Sequence, residues 1–135
     1  MRSQKGHNRY DSTVYYSPEN WGLKQVAMID YSSGSYEFDL RVVWKDEDGV
    51  LWSGKDSGCS CPSPFEGFNE ESDFERATPE WIVGVLIPEL KGNSRGWGGD
   101  EYGKYVTREE ADKFLEEVRG LLPQHLRSRV PQSVI

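Results

Sequence analysis

Hydrophobic and polar residues alternate along the stretch YEFDLRVVWK, which begins at Tyr36 and ends at Lys45. A period of two predicts a β-strand with one buried face, because successive side chains of a strand point to opposite sides. The predicted buried face carries Phe38, Leu40, Val42 and Trp44.

Two further strands are predicted beside this one. Residues 23–31 are strand-like up to the breaker YSSGS, and VLWSGK follows the turn DEDG, where Gly49 can take a positive φ. The pattern therefore predicts a three-stranded antiparallel meander over residues 23–55. Trp44 and Trp52 would lie opposite each other near the hairpin end.

The clearest helical pattern is TREEADKFLEEVRGLLP. Thr107 is a suitable N-cap, Glu110 completes a capping box, and Pro123 follows the end. The apolar residues with helical spacing are Ala111, Phe114, Leu115, Val118, Leu121 and Leu122. We therefore expect an α+β fold in which the helix at 107–122, from Arg108 to Leu122 after its cap, packs on the sheet face carrying Phe38, Leu40, Val42 and Trp44.

The stretch TPEWIVGVLIPEL, residues 78–90, gives conflicting signals. Its first three residues resemble a helix start, its β-branched residues favour a strand, and Pro88 interrupts either element. The prediction is a short helix that buries Trp81 and Val85.

Length favours a single domain over residues 1–135. The segments outside the predicted strands and helices are predicted to be irregular. A polar tail covers residues 1–13, a loop rich in Cys and Pro covers 56–68, and a weakly basic tail covers 125–135.

The net charge and the distribution of apolar residues argue against several classes of function. A formal net charge of -7 argues against direct nucleic-acid binding, because phosphate contacts need clustered Lys and Arg. No apolar stretch reaches membrane-spanning length, and the N-terminus has no apolar signal core. We therefore expect a cytosolic protein that does not engage a membrane.

The segment DSGCSCPSPFE contains Cys59 and Cys61, the two cysteines of the chain. Two cysteines do not form a disulfide framework, and a zinc site would need two more ligands. The favoured interpretation is a packed turn with two reduced thiols, no metal and no cofactor. A small metal-dependent or thiol-dependent module built on this pair is kept as an alternative.

Acidic residues cluster in the segment after this loop, at Glu70, Glu71 and Asp73. Solvated surface is the ordinary interpretation of such residues. A surface that imitates the charge of nucleic acid, and so occupies the groove of a DNA-binding protein, is a second hypothesis.

The stretch SYEFDLRVVWKDEDGVLWSGKDSGCSCPSPFEGF resembles a family of small uncharacterised proteins from actinobacterial phages, including mycobacteriophage-like ones, and related actinobacteria. The resemblance covers residues 23–68, and DSGCSCPSPFE is its most specific element. It implies a phage or prophage origin and a location in the host cytoplasm. It supplies no catalytic residues.

These observations together predict a non-enzymatic phage accessory protein that binds and modulates a host protein, in growth inhibition, host takeover or defence evasion. No complete catalytic constellation is recognisable in the sequence. Exposed rings are effective anchors in protein interfaces. The expected binding residues are Cys59, Cys61, Pro62, Phe65, Phe68, Trp97 and Tyr102.

Overall fold

Three long strands follow one another along the chain, and a short fourth strand extends the sheet. The computed structural model describes residues 1–2, 13–32, 36–59, 63–93 and 106–133. The strands are β1 Leu23–Asp30, β2 Glu37–Asp46, β3 Leu51–Cys59 and β4 Glu75–Arg76, antiparallel and in the order β1-β2-β3-β4. The predicted α+β class is confirmed. The predicted strand number is wrong by one, because a two-residue strand is too short to show a period.

The helices follow the sheet. They are α1 Pro79–Trp81, a π-helical segment Ile82–Leu86, α2 Ile87–Asn93 and α3 Arg108–Leu121, with short 3-10 turns at Pro18–Trp21, Glu71–Asp73 and Gln124–Arg129. The helix predicted at 107–122 is confirmed with its capping box, in which the Thr107 side chain accepts from Glu110 N–H. Pro88 lacks the N–H that an α-helix requires, and the wider π-helical segment ends two residues before it, at Leu86.

The sheet separates two hydrophobic cores. The first, which we call the helix-side core, joins Ala27, Ile29 and Val43 to the helices. The second, which we call the aromatic core, joins Leu40, Val42 and Trp44 to Trp21, Trp52, Phe65 and Phe74. Val42, Val43 and Trp44 are all 0% exposed, so β2 is buried on both faces.

The predicted docking face of α3 is wrong. Phe38, Leu40, Val42 and Trp44 do share one face, but that face carries the aromatic core, whereas α3 packs on the opposite face. Residues 63–74 and the segment before β1 supply the aromatic rings that cover the predicted face. Alternation identifies which side chains share a face, and it does not specify which later segment covers that face.

A β-bulge assigns the residues of β1 to the two cores. The register shifts between Gln25 and Ala27, so Leu23 reaches the aromatic core while Ala27 and Ile29 reach the helix-side core. One inserted residue reverses the facing of all that follow it.

Trp44 and Trp52 pair directly across β2 and β3, as predicted. The hairpin turn between these strands closes with Gly49 at φ 84°, and Asp46 N–H donates to Val50 C=O at 2.9 Å. The positive φ expected for Gly49 is confirmed.

Candidate functional site

A cleft of about 300 Å³ lies at the edge of the sheet where β4 begins and its pairing with β3 stops at Ser53. Ser53, Gly54 and Lys55 of β3 contribute to its lining. Phe68 and Asp73 line it from the segment that leads into β4, and Glu75 lines it from β4 itself. The helical lining residues are Trp81, Val85, Leu86 and Glu89. Arg41 of β2 completes the lining.

The β3 strand has an open edge beside this cleft. β4 pairs only with Trp52 and Ser53, and within the described part of the chain no strand pairs with residues 54–59 on the side away from β2. Ala77 N–H donates to Leu51 C=O at 2.9 Å on that side. Outward-pointing backbone groups recur at every second residue of an antiparallel strand, so those of Lys55 also point to the open edge.

The outer edge of β1 is less accessible than the edge of β3. The bulge makes its backbone irregular, and the Glu117 carboxylate of α3 accepts from Met28 N–H at 3.4 Å. Bulges and covering groups are the usual means of blocking an exposed strand edge. Among the described residues, the edge of β3 is therefore the better position for an added strand.

Arg41 stands between the sheet and the helices. Its guanidinium donates to Glu89 at 2.9 Å and to Asp39 at 2.7 Å, and lies 5.2 Å from the ring centroid of Tyr31. Burial disfavours the charged guanidinium, but the hydrogen bonds to Asp39 and Glu89 outweigh burial and raise the pKa of Arg41. Arg41 is therefore a fixed, ionised part of the cleft wall.

The helical wall differs from its prediction. Trp81 is partly exposed and Val85 is 49% exposed, so the prediction that both are buried is wrong. The buried stripe is the neighbouring one, formed by Ile82, Leu86 and Leu90. The residues of each stripe are four positions apart, but only the buried stripe stays apolar into α2, where Leu90 lies; the other stripe continues there with Glu89. Trp81 and Val85 are thereby left for the cleft.

The Cys and Pro loop positions an aromatic side chain in the core. Phe65 N–H donates to Asp56 Oδ2 at 2.6 Å, and Phe65 adopts φ 63°, a left-handed conformation that is rare for a bulky residue. Its ring is 0% exposed and lies 5.2 Å from the ring of Trp44. Phe65 is therefore a core residue, and the prediction that it serves as an exposed anchor is wrong.

The other predicted binding residues are dispersed or undescribed. Phe68 lines the cleft, and Cys59 is exposed at the end of β3. Cys61, Pro62, Trp97 and Tyr102 lie outside the described residues. Nothing in residues 63–93 or the other described ranges groups three His, Cys, Asp or Glu side chains for a metal ion.

The predicted acidic residues have local roles in a turn. Glu70 and Asp73 form a capping box around the 3-10 turn, where Asp73 Oδ2 accepts from the N–H groups of Asn69 and Glu70 at 2.8 and 2.9 Å. Asp73 also lines the cleft, and Glu71 is exposed.

Sequence reasoning missed Arg41, Glu75, Trp81 and Glu89. The sequence did carry one signal for the cleft: Trp81 and Val85 lie one helical turn apart on a segment where Pro88 disturbs the helix. The cleft itself depends on where the pairing of β4 with β3 begins, which no sequence period shows.

No helix in the described part of the chain has the length and apolar character required to cross a membrane. Neither a curated protein nor a solved structure matches the chain. The family described as "Domain of unknown function (DUF7574)" matches residues 12–120, which include the sheet and the cleft, and this chain belongs to that family.

Proposed function

We propose that this protein is a non-enzymatic binding module that holds an extended segment of a partner protein along the open edge of β3. The observation that carries the proposal is that Ser53, Gly54 and Lys55 belong both to the cleft lining and to the strand where β4 pairing stops. An added strand gains main-chain hydrogen bonds at such an edge, and adjacent pockets select its side chains.

The neighbouring pocket supports this mode of binding. Phe68, Trp81 and Val85 provide apolar surface on both sides of the β3 backbone. A flat edge without side-chain pockets would accept strands indiscriminately, whereas a lined edge discriminates between them.

Charge supports a basic partner. The formal net charge is -7, and complementary charge accelerates encounter and suppresses incorrect partners. We propose that the partner is a host protein, and that the protein acts as a phage accessory factor in the cytoplasm of an actinobacterial host. This wider role is supported by the resemblance of residues 23–68 to phage proteins.

A photocrosslinking experiment tests the docking site. A benzophenone amino acid is placed singly at Lys55, at Lys24 on β1 or at Glu71, and the tagged full chain is exposed to lysate of an actinobacterial host. We expect one crosslinked partner from Lys55, with the crosslinked peptide identified by mass spectrometry. Crosslinks from Glu71 alone would favour the nucleic-acid-mimicking decoy, and crosslinks from none of the three positions would refute edge docking.

Two variants separate backbone from side-chain contributions. Lys55→Pro removes the outward N–H, whereas Lys55→Ala removes only the side chain. We expect capture to be lost with proline and retained with alanine. The double variant Cys59→Ser, Cys61→Ser should also retain capture, and its failure would instead support a thiol-dependent module.

A further inference from the structure

We infer that the cleft is a binding pocket for the side chain of a lysine or arginine, carried by the segment that docks along β3. This inference rests on the proposed edge docking and specifies the chemistry of the partner. It is carried by the aromatic rings, the carboxylates and the facing of the side chains in the cleft.

The aromatic rings favour a cationic side chain. Trp81 lines the cleft from the helix side, where the ligand side chain is expected, and it is partly exposed, whereas Phe68 lines the cleft from the side of the aromatic core. Cations are attracted to aromatic faces, and a long aliphatic stem can pack on the same surface. The fold already uses this interaction twice nearby, with Arg76 5.4 Å from the ring centroid of Trp52 and Arg41 5.2 Å from that of Tyr31.

The carboxylates leave an excess of negative charge. Asp73, Glu75 and Glu89 line the cleft, and Asp39 binds Arg41 from outside it. Four carboxylates stand against the two cations Arg41 and Lys55, which leaves two negative charges uncompensated. Among the described residues Glu75 has no hydrogen bond or ion pair through its side chain, so it is available to a ligand.

Strand register indicates which ligand residue enters. Glu75 of β4 pairs with Ser53, so the next outward pairing position on β3 is Lys55. Directly paired residues of an antiparallel ladder project to the same face. A residue of the added strand opposite Lys55 therefore points to the face on which Glu75 and the helices lie. Its charge is favoured by Glu75 and opposed by Lys55.

Synthetic peptides test the inference with the full chain. The probes are fluorescein-labelled heptapeptides of alternating Thr and Val whose central residue is Arg, Lys, Leu or Glu, and binding is measured by fluorescence anisotropy at low salt. We expect the Arg and Lys peptides to bind about fivefold or more tightly than the Leu peptide, in line with one cation–π contact and one ion pair. The Glu peptide should bind weakest.

Variants assign the preference to the cleft. Glu75→Gln and Trp81→Leu should each reduce the preference for Arg over Leu several-fold, and Lys55→Gln should increase it. Glu80→Gln is the matched control, because Glu80 is exposed and does not line the cleft. It should leave the preference unchanged.

The outcomes separate the two proposals. Tightest binding of the Leu or Glu peptide, still abolished by Lys55→Pro, would overturn the cationic pocket and leave edge docking standing. Binding of none of the peptides would overturn both. A preference for Arg that persists in Glu75→Gln and Trp81→Leu would place the cation elsewhere and refute the pocket.

Discussion

Arg41 on β2 and Glu89 on α2 form a hydrogen-bonded ion pair in which Nε lies 2.9 Å from Oε1. Their side chains are 15% and 30% exposed. The pair connects the sheet to the helical wall of the cleft. Because Asp39 binds the same guanidinium, Arg41 keeps one carboxylate partner when Glu89 is lost.

The Glu89→Gln variant should lower the free energy of unfolding by about 1 kcal/mol, since a partly buried charged hydrogen bond is weakened while Asp39 still compensates Arg41. Urea denaturation followed by tryptophan fluorescence measures the change. Glu116→Gln, at an exposed pair with Arg119, is the control and should change stability by less than about 0.5 kcal/mol. Equal effects in the two variants would contradict a structural role for Glu89.

Gly54 lies between the cleft and the aromatic core, and we expect Gly54→Ala to destabilise the fold by about 1–3 kcal/mol. A Cβ there would stand 2.8 Å from Phe68 Cε2 and 3.0 Å from Phe65 Cε1. Chemical denaturation of both this variant and Gly120→Ala provides the comparison. Apart from its chain neighbours and the nearby backbone of its own helix, nothing lies within 4 Å of a Cβ at Gly120, so alanine in that helical position should stabilise by up to about 1 kcal/mol. A neutral Gly54→Ala would indicate that the rings move aside.

Asp46 should contribute stability that is lost in acid. Burial opposes its ionisation, but hydrogen bonds from Trp52 Nε1 and from the N–H groups of Val50 and Asp48 outweigh burial, so its pKa lies below the ordinary value. A lowered folded-state pKa gives stability that is present above the unfolded pKa of about 3.9 and is lost as pH falls through the folded pKa.

The Asp46→Asn variant tests this dependence. It should be less stable than the parent at pH 7, and the difference should shrink as the carboxyl of the parent is protonated at low pH. Denaturation at a series of pH values measures both curves. Asp48→Asn, in the same turn, is the control because it leaves the Asp46 carboxylate and its acceptor bonds in place, and it should keep the loss of stability in acid. A constant gap between the parent and Asp46→Asn would rule out the linkage.

Tyr31 should make the fold sensitive to alkali. Burial, followed by the negative charge of Glu89, raises the pKa of Tyr31 well above its ordinary value, although Arg41 opposes the shift. A raised folded-state pKa gives stability that is complete below the unfolded pKa of about 10 and is lost as pH rises through the folded pKa. Tyr31→Phe removes this loss.

Unfolding free energies at pH 8 and about pH 10.5 check this prediction. The parent should lose more stability than Tyr31→Phe between the two values. Tyr36→Phe is the matched control, because Tyr36 is 82% exposed and should behave as the parent does. Identical losses in the parent and Tyr31→Phe would show that Tyr31 ionises freely.

The sequence predicted correctly those strands and helices that neighbouring residues specify. The alternation from Phe38 to Trp44 and the capping box of Thr107 and Glu110 each specify an element from neighbouring residues, and both elements are present. The pairing of Trp44 with Trp52 also followed, because a short turn fixes the register of a hairpin.

How those elements pack together was harder to predict from the sequence. Helix α3 packs on the sheet face that the rings of Phe65 and Phe74 leave uncovered. Which face those rings cover depends on contacts between segments that are distant in sequence. The cleft residues Arg41 and Glu89 are 48 positions apart in sequence. Their proximity results from a side-chain contact between a strand and a helix that are distant in sequence, and no periodicity encodes it.

The double burial of β2 has a consequence for how the molecule comes apart. Val43 faces one core while Val42 and Trp44 face the other, so the two layers are held by adjacent residues of one central strand. If either layer detaches, the apolar face of β2 that it covered becomes exposed to water, on the same backbone that still packs against the other layer. The chain should therefore melt as a single cooperative unit, with loosening confined to the periphery, where the edge of β3 and the ends of the helices meet solvent.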